Sequence, residues 1–276
     1  MKLSIITINR NNAEGLRKTI ESVVSQTYTD FEYIIIDGAS TDDSVNIIKE
    51  YADRITYWVS EPDTGIYNAM NKGILKAKGE YLLFLNSGDW LYDNDVLNDV
   101  FSISPTEDIV YGNACLVFSD GIKEYTAFVE RPTLNYFIDD ALCHQSVFHK
   151  KEIFANSLYR DDLRFVSDWE MLLRKIIIEN CSVKCIKRTI CYFQMDGLTG
   201  NFENHKSIEI ERIKILKEFI PERVLSDYVY FRDLNLKYTS SSYVYLNCLK
   251  NNSLLWKLSR RFLKFLYIAN KYCYKR

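Results

Sequence analysis

Apolar and polar positions change period repeatedly along the first ninety residues. Residues 3–8, LSIITI, are a β-branched apolar run bounded by polar residues, which fits a strand buried on both faces. A helical period follows from about Ala13 to Gln26, with Leu16, Ile20, Val23 and Val24 on one face and Asn11 and Asn12 available as caps. Phe31–Ile36 reads as a second buried strand, ending in the turn-rich DGASTDDS. A helix carrying Val45, Ile47 and Ile48 begins near Asp42, and a short strand at 55–59 leads to Pro62. A helix near 66–77 and the strand Tyr81–Leu85 complete the series. This β-α alternation predicts a parallel sheet covered by helices on its faces.

The pattern then shortens. IVYGNACLVF, GIKEYTAFV and CHQSVFHK, all within 108–150, read as short strands joined by turns, which predicts an antiparallel or mixed extension of the sheet. A helix is expected at about 167–179, a strand at 183–194, and helices again from about 203. The fold class is therefore α/β, a mostly parallel Rossmann-like sheet with a mixed extension, followed by a helical C-terminal region.

Composition narrows the class. A 47% hydrophobic share over 276 residues supplies one sizeable core, and 26% charged residues is an ordinary globular share. The net charge of -2 conceals an asymmetry, because no acidic residue follows Asp233 while nine Lys and Arg do. Seven cysteines, an odd number without a CxxC pair, point to reduced thiols and a cytoplasmic setting. No apolar signal core opens the chain, and no window reaches the roughly 18 to 20 apolar residues of a membrane span.

In an open parallel sheet, ligands bind beyond the carboxyl ends of the strands. That rule nominates Thr7–Arg10, Asp37–Asp42, the residues around Asp63, and Asn86–Asp89. Each alone is also an ordinary turn; their common placement on one sheet edge carries the signal. GxGxxG is absent, so a dinucleotide-binding reading loses its main support, and the absence of GxxxxGK[ST] removes the P-loop reading. An acidic edge suits Mg²⁺ or Mn²⁺ neutralising a diphosphate. Asp37 at a strand end would alternatively accept hydrogen bonds from a nucleobase or ribose.

These residues resemble a known family. SEPDTGIYNAMNKGILKAKGEYLLFLNSGD (60–89) is similar to the central block of the family 2 bacterial inverting glycosyltransferases that build O-antigens and capsules. TINRNN and IIIDGASTDDS match in the same order, and the likeness extends over about residues 1–200. The resemblance implies a GT-A fold, with nucleotide-sugar binding in 1–100, the acceptor side in 101–200, and a helical region over 201–276. It implies donor-binding roles for Thr7, Asn9, Arg10, Asp37 and Ser40, with Asp42 nearby, for Asp63, Gly65, Asn71 and Lys72, and for Asn86, Ser87 and Gly88. Asp89 occupies the metal position of the DxD motif, here reduced to one carboxylate; a bland alternative makes it the N-cap of a helix after Trp90.

FVSDWEMLLRK (165–175) resembles the family's catalytic-base segment, which makes Asp168 the expected base, with Glu170 in reserve and Trp169 beside them on the acceptor side. His144 and Gln145 match an HQ pair on a strand lining that side. His149 and His205 lack the spacing of a metal set. MDGLTG (195–200) stands where relatives carry a Gly-Gly-x-Ser turn, with Asp196 and Thr199 as departures. The expected activity is transfer of a hexose from a nucleotide-sugar, UDP-linked for preference, to a saccharide on a polyprenyl diphosphate. A nucleotidyltransferase and a non-catalytic carbohydrate-binding protein are the competing classes; the glycine-poor TINRNN loop disfavours the first.

The tail adds a membrane expectation. On a helical wheel Lys257, Arg260, Arg261, Lys264, Lys271 and Lys275 share one arc, opposite Leu255, Trp256, Leu258, Phe262, Leu263, Phe265 and Leu266, with Ile268 the exception. Such a basic amphipathic helix over 255–276 suits an anionic membrane surface, giving a peripheral protein on the inner face of the plasma membrane, with no nucleic-acid partner. A terminal helix docked on the body or on another subunit of an oligomer is the alternative.

Overall fold

A computed structural model describes residues 1–195, 197, 202–239 and 241–273. Its contacts divide the chain into two units, Met1–Ile215 and Leu216–Arg276. The division falls inside a helix, later than residue 200.

The first unit is built on one nine-stranded sheet. β1 (Leu3–Asn9), β2 (Phe31–Asp37), β3 (Tyr57–Ser60) and β4 (Tyr81–Phe84) are parallel and lie in the order β3-β2-β1-β4. Beyond β4 come β8 (Val147–Lys150), β6 (Ile109–Val117), β9 (Val183–Gln194) and β5 (Trp90–Leu91), with β7 (Lys123–Tyr125) paired to β6. β8 runs antiparallel to β4 and β6, whereas β9 is parallel to β6, so the extension is mixed.

Helices α1 (Ala13–Val24), α2 (Ser44–Glu50) and α3 (Ile66–Lys76) follow the first three strands. Asn12 caps α1, its Oδ1 accepting from the Gly15 N–H at 3.1 Å. Leu16, Ile20 and Val23 of α1 pack with Leu3, Ile5, Tyr33 and Leu83 in the core. α3 sits close on β1 because a Cβ on Gly73 would lie 2.4 Å from Ile6 Cγ2. That approach fixes the height of α3 above the sheet, and with it the side chains at its amino end.

Several short elements were not foreseen: β5, α4 (Val96–Ser102) and α5 (Leu134–Asp139). The chain after Asp89 enters β5, so Asp89 caps no helix there. His144 and Gln145 also sit differently from the expectation, on a 3-10 turn over His144–Ser146; the strand starts only at Val147. α6 (Ser167–Leu173) continues into a π turn over Arg174–Ile178, so the helix expected at 167–179 is α-helical only in its first half.

α7 (His205–Phe219) spans the division between units, and Glu211 ties its first half to the sheet unit by accepting the Arg164 and Phe165 N–H groups. The second unit continues through α8 (Glu222–Thr239), α9 (Ser241–Lys250) and α10 (Ser253–Cys273). Asn252 caps α10 by accepting the N–H groups of Leu254 and Leu255. Leu255, Leu258, Phe262 and Phe265 of α10 are exposed. Among the described residues, no helix is long and apolar enough to cross a membrane.

Candidate active site

Register builds the first wall. Parallel pairing places Asn9 beside Asp37 and Asp37 beside Ser60, a polar row at the carboxyl edge of three strands. Asp37 is fully buried, and both of its oxygens are engaged. Oδ1 accepts from Asn9 Nδ2 at 2.7 Å and Ser40 Oγ at 2.5 Å; Oδ2 accepts from the Ser40 N–H at 2.9 Å and Ser60 Oγ at 2.6 Å. A buried carboxylate requires such donors to offset its lost hydration. Asp37 and Asn9 thus hold the 38–42 loop in shape from beneath. Asp42 helps from outside, accepting the Ala13 N–H at 2.9 Å and the Ser44 N–H at 3.1 Å.

Beside this row, Arg10 and Asp63 both approach the buried Gly38. A Cβ on Gly38 would lie 2.3 Å from Asp63 Oδ2 and 3.4 Å from Arg10 Cδ, so the missing side chain admits the Asp63 carboxylate to the loop. Asp63 Oδ1 accepts the Gly65 N–H at 3.0 Å, at the start of α3.

Three expected donor-side residues are placed elsewhere. Thr7 is fully buried, its hydroxyl donating to the Leu85 carbonyl at 2.7 Å and meeting Tyr33 Oη at 3.0 Å, so it ties β1 to β4 and does not line the edge. Asn71 clamps the Tyr159 backbone, donating to its carbonyl at 2.8 Å and accepting its N–H at 3.0 Å. Lys72 is committed to the Pro62 carbonyl at 2.9 Å and to Glu61 at 2.7 Å. Asn71 therefore braces the 159 region, and Lys72 braces the chain at Glu61 and Pro62.

Asn86-Ser87-Gly88-Asp89 leaves β4 at the same edge. The Gly88 N–H donates to Thr19 Oγ1 at 3.0 Å and the Ser87 carbonyl accepts from Asn12 at 3.0 Å, which pins the turn to α1. Asp89 is 5% exposed. Its Oδ2 accepts from Gln145 Nε2 at 2.9 Å and its Oδ1 from the Gln194 N–H at 3.0 Å. Gln145, expected on the acceptor side, thus holds the Asp89 carboxylate. Among the described residues no group of three His, Cys, Asp or Glu side chains suits a metal ion. The residues present would fit a metal only through the single Asp89 carboxylate, with substrate oxygens and water completing the shell.

A second wall comes from the second half of the unit, where the acceptor side was expected. Asp168, in the first turn of α6, accepts from Tyr67 Oη at 2.8 Å through Oδ1 and faces His144 Nδ1 at 2.9 Å through Oδ2. His144 Nε2 lies 3.3 Å from Asn86 Nδ2. With the proton on Nδ1, the imidazole donates to Asp168 and accepts from Asn86, which links the 86–89 turn to the carboxylate. Burial alone would raise the Asp168 pKa, but the hydrogen bond and charge of His144 and the Tyr67 hydroxyl outweigh it and hold the group below the usual carboxylate value. Tyr67 is pushed well above the usual phenol range, first by burial and then by Asp168. Tyr159 is fully enclosed beside them, with its hydroxyl unpartnered.

Trp169 is buried and donates from Nε1 to the Phe137 carbonyl at 2.9 Å, supporting the wall from behind. Glu170, the reserve base, is buried and bound through Oε1 to Arg174 Nε at 2.8 Å, away from Asp168. His149 is enclosed in β8, where burial lowers its pKa to about 3 and keeps it neutral. Asp196 and Thr199 lie outside the described residues. Tyr67 was missed in the sequence, although its place two residues after Gly65 at the start of α3 was a usable signal.

The mixed sheet thus carries polar, acidic loops on one edge, and Asn86 links them through His144 to a carboxylate held by phenol and imidazole. Glycosyl transferase family 2 matches residues 4–163, more than half of the chain. An uncharacterized glycosyltransferase of Mycobacterium tuberculosis is 32% identical over 214 residues, which cover 73% of this chain and 78% of that one. A PGL/p-HBAD biosynthesis glycosyltransferase of Mycobacterium bovis is 31% identical over 179 residues, covering 62% and 68%. The chain belongs to glycosyl transferase family 2, and it is a glycosyltransferase.

Solved structures agree on the fold, which is GT-A. Staphylococcus aureus TarS 1-349 in complex with UDP-GlcNAc superposes with a TM-score of 0.63 at 17% identity, covering 80% of this chain and 72% of that one. A mannosyltransferase from Pyrobaculum calidifontis in complex with GDP-Man and Mn²⁺ gives 0.54 at 18% identity, covering 70% and 56%.

Proposed function

We propose that this chain transfers a hexose, with inversion, from a UDP-sugar to a saccharide carried on a polyprenyl diphosphate, in the assembly of a surface polysaccharide. The observation that carries this reading is the Tyr67–Asp168–His144 cluster, which reaches the donor-side turn through Asn86. A TarS structure contains UDP-GlcNAc, which favours a UDP-linked donor among the nucleotide-sugars.

In this mechanism Arg10, Ser40 and Asp63 meet the base and ribose, over the support of Asn9 and Asp37. Asp168 takes the proton of the acceptor hydroxyl as its oxygen forms a bond to the anomeric carbon. The bond from that carbon to the diphosphate oxygen breaks, and its electron pair leaves with the nucleoside diphosphate. Tyr67 and His144 hold the carboxylate in place and in its ionised form, so the base is aimed before the acceptor arrives. Mg²⁺ or Mn²⁺ held through Asp89 would neutralise charge on the departing diphosphate.

The exposed apolar residues of α10, together with Lys257, Arg260, Arg261 and Lys264, support attachment to an anionic membrane surface at the inner face of the plasma membrane. Flotation of the full chain with anionic vesicles at low salt tests that part; protein left entirely in the unbound fraction would remove it. A panel of nucleotide-sugars, scored by thermal shift with Mn²⁺ and by nucleoside diphosphate release, tests the donor. UDP-hexoses should stabilise the protein most, and preference for a GDP-sugar would overturn the UDP assignment.

A further inference from the structure

One cation of the acceptor wall has no role in the mechanism above. Arg212, on α7, lies over the Trp169 indole with its guanidinium carbon 5.1 Å from the ring centroid. Its Nε is shielded from solvent and has no hydrogen-bond partner. The guanidinium forms no salt bridge with a described carboxylate. Glu211, the preceding residue, binds the Arg164 and Phe165 N–H groups, so this turn of α7 is anchored and Arg212 is held where it is.

Its surroundings are half those of an ion pair. Burial lowers the Arg212 pKa, opposed by the charges of Asp168 and Asp140 and by Tyr136. Those two carboxylates are near enough to favour the cation, yet neither contacts it. A guanidinium taken out of water without a direct partner is costly, and an arriving oxyanion removes that cost. Its planar fork suits two oxygens of one phosphate, and the indole face keeps the fork oriented.

We propose that Arg212 is a binding residue for a phosphate oxyanion of a substrate, on the acceptor side of the site. The choice of phosphate rests on the glycosyl-transfer reading, in which both donor and lipid-linked acceptor carry a diphosphate; the cationic site itself does not. Arg212→Gln and Arg212→Lys in the full chain test it, after circular dichroism and thermal melting establish that each variant is folded. Calorimetry with inorganic pyrophosphate and with UDP, and acceptor KM values for a lipid-diphosphate sugar and for the same sugar without phosphate, form the four arms.

Loss of a charge-assisted contact should weaken binding by roughly tenfold to a hundredfold in Arg212→Gln, with Arg212→Lys between it and wild type. Weaker UDP binding would assign the oxyanion to the donor. A higher KM confined to the phosphate-bearing acceptor would assign it to the acceptor. Wild-type pyrophosphate and UDP affinities in Arg212→Gln, with unchanged KM for both acceptors, would overturn the proposal. Pyrophosphate binding is read without turnover, so an enzyme that fails to use any nucleotide-sugar would sink the functional reading and leave this site still tested.

Discussion

Replacing Tyr67 with Phe removes one oxygen and leaves the ring in place beside Tyr159, 5.9 Å between centroids. The lost contact is the 2.8 Å hydrogen bond to Asp168 Oδ1. A hydrogen bond to a charged group contributes about 1.5–3 kcal/mol. Burial still disfavours the Asp168 carboxylate in the variant, while one of the two side-chain donors that hold its pKa down is gone. The Asp168 pKa therefore rises, and the acid limb of the kcat profile moves toward neutral pH.

The same reasoning fixes the sign for stability. A carboxylate whose folded pKa is depressed adds stability above the unfolded value, near 3.9, and loses it as pH falls through the folded value. Tyr67→Phe should thus be about 1.5–3 kcal/mol less stable than wild type by urea unfolding at pH 7. The gap should narrow as the pH falls below the unfolded carboxylate value. An acid limb that coincides with that of wild type, together with a stability gap that does not change with pH, would refute the role given to Tyr67.

Asp37→Ala leaves donors from Asn9, Ser40 and Ser60 without their acceptor, so it should cost about 1–3 kcal/mol by urea unfolding and abolish donor binding. A near-neutral change would mean that the loop is held by other contacts. Gly38→Ala places a methyl group against Asp63 and should weaken UDP binding by calorimetry while changing the melting temperature little; unaltered affinity would separate Asp63 from the donor. Asp89→Ala should abolish any dependence of transfer on added Mn²⁺, and a variant that keeps wild-type metal activation would place the cation elsewhere.

The strands β1 and β2 were legible because each carries a run rich in isoleucine that ends in a polar residue. The face taken by each side chain was not. β1 is buried at all seven positions, so its sequence carries no alternation to show that Thr7 points inward. β5 has two residues and exists through pairing with β9, about a hundred positions later, which no local pattern encodes. CHQSVFHK reads as one strand by composition, but strand geometry begins only at Val147, after a 3-10 turn that presents His144 to Asp168.

Asp37 and Asp89 were nominated by strand-end position together with resemblance, and Asp168 mostly by resemblance; their surroundings were not legible. Gln145 on Asp89, Tyr67 on Asp168 and Arg212 on Trp169 join residues tens of positions or more apart in the chain. Such partners are set by how the sheet halves and α7 meet, and a single sequence leaves them open.

The most direct test compares wild type with Asp168→Asn for nucleoside diphosphate release and sugar transfer, using the donor and acceptor that wild type uses, with donor affinity measured alongside. The account predicts transfer reduced by at least about a hundredfold, within the range for losing a general base, with donor affinity unchanged. Transfer by Asp168→Asn at the wild-type rate would contradict it.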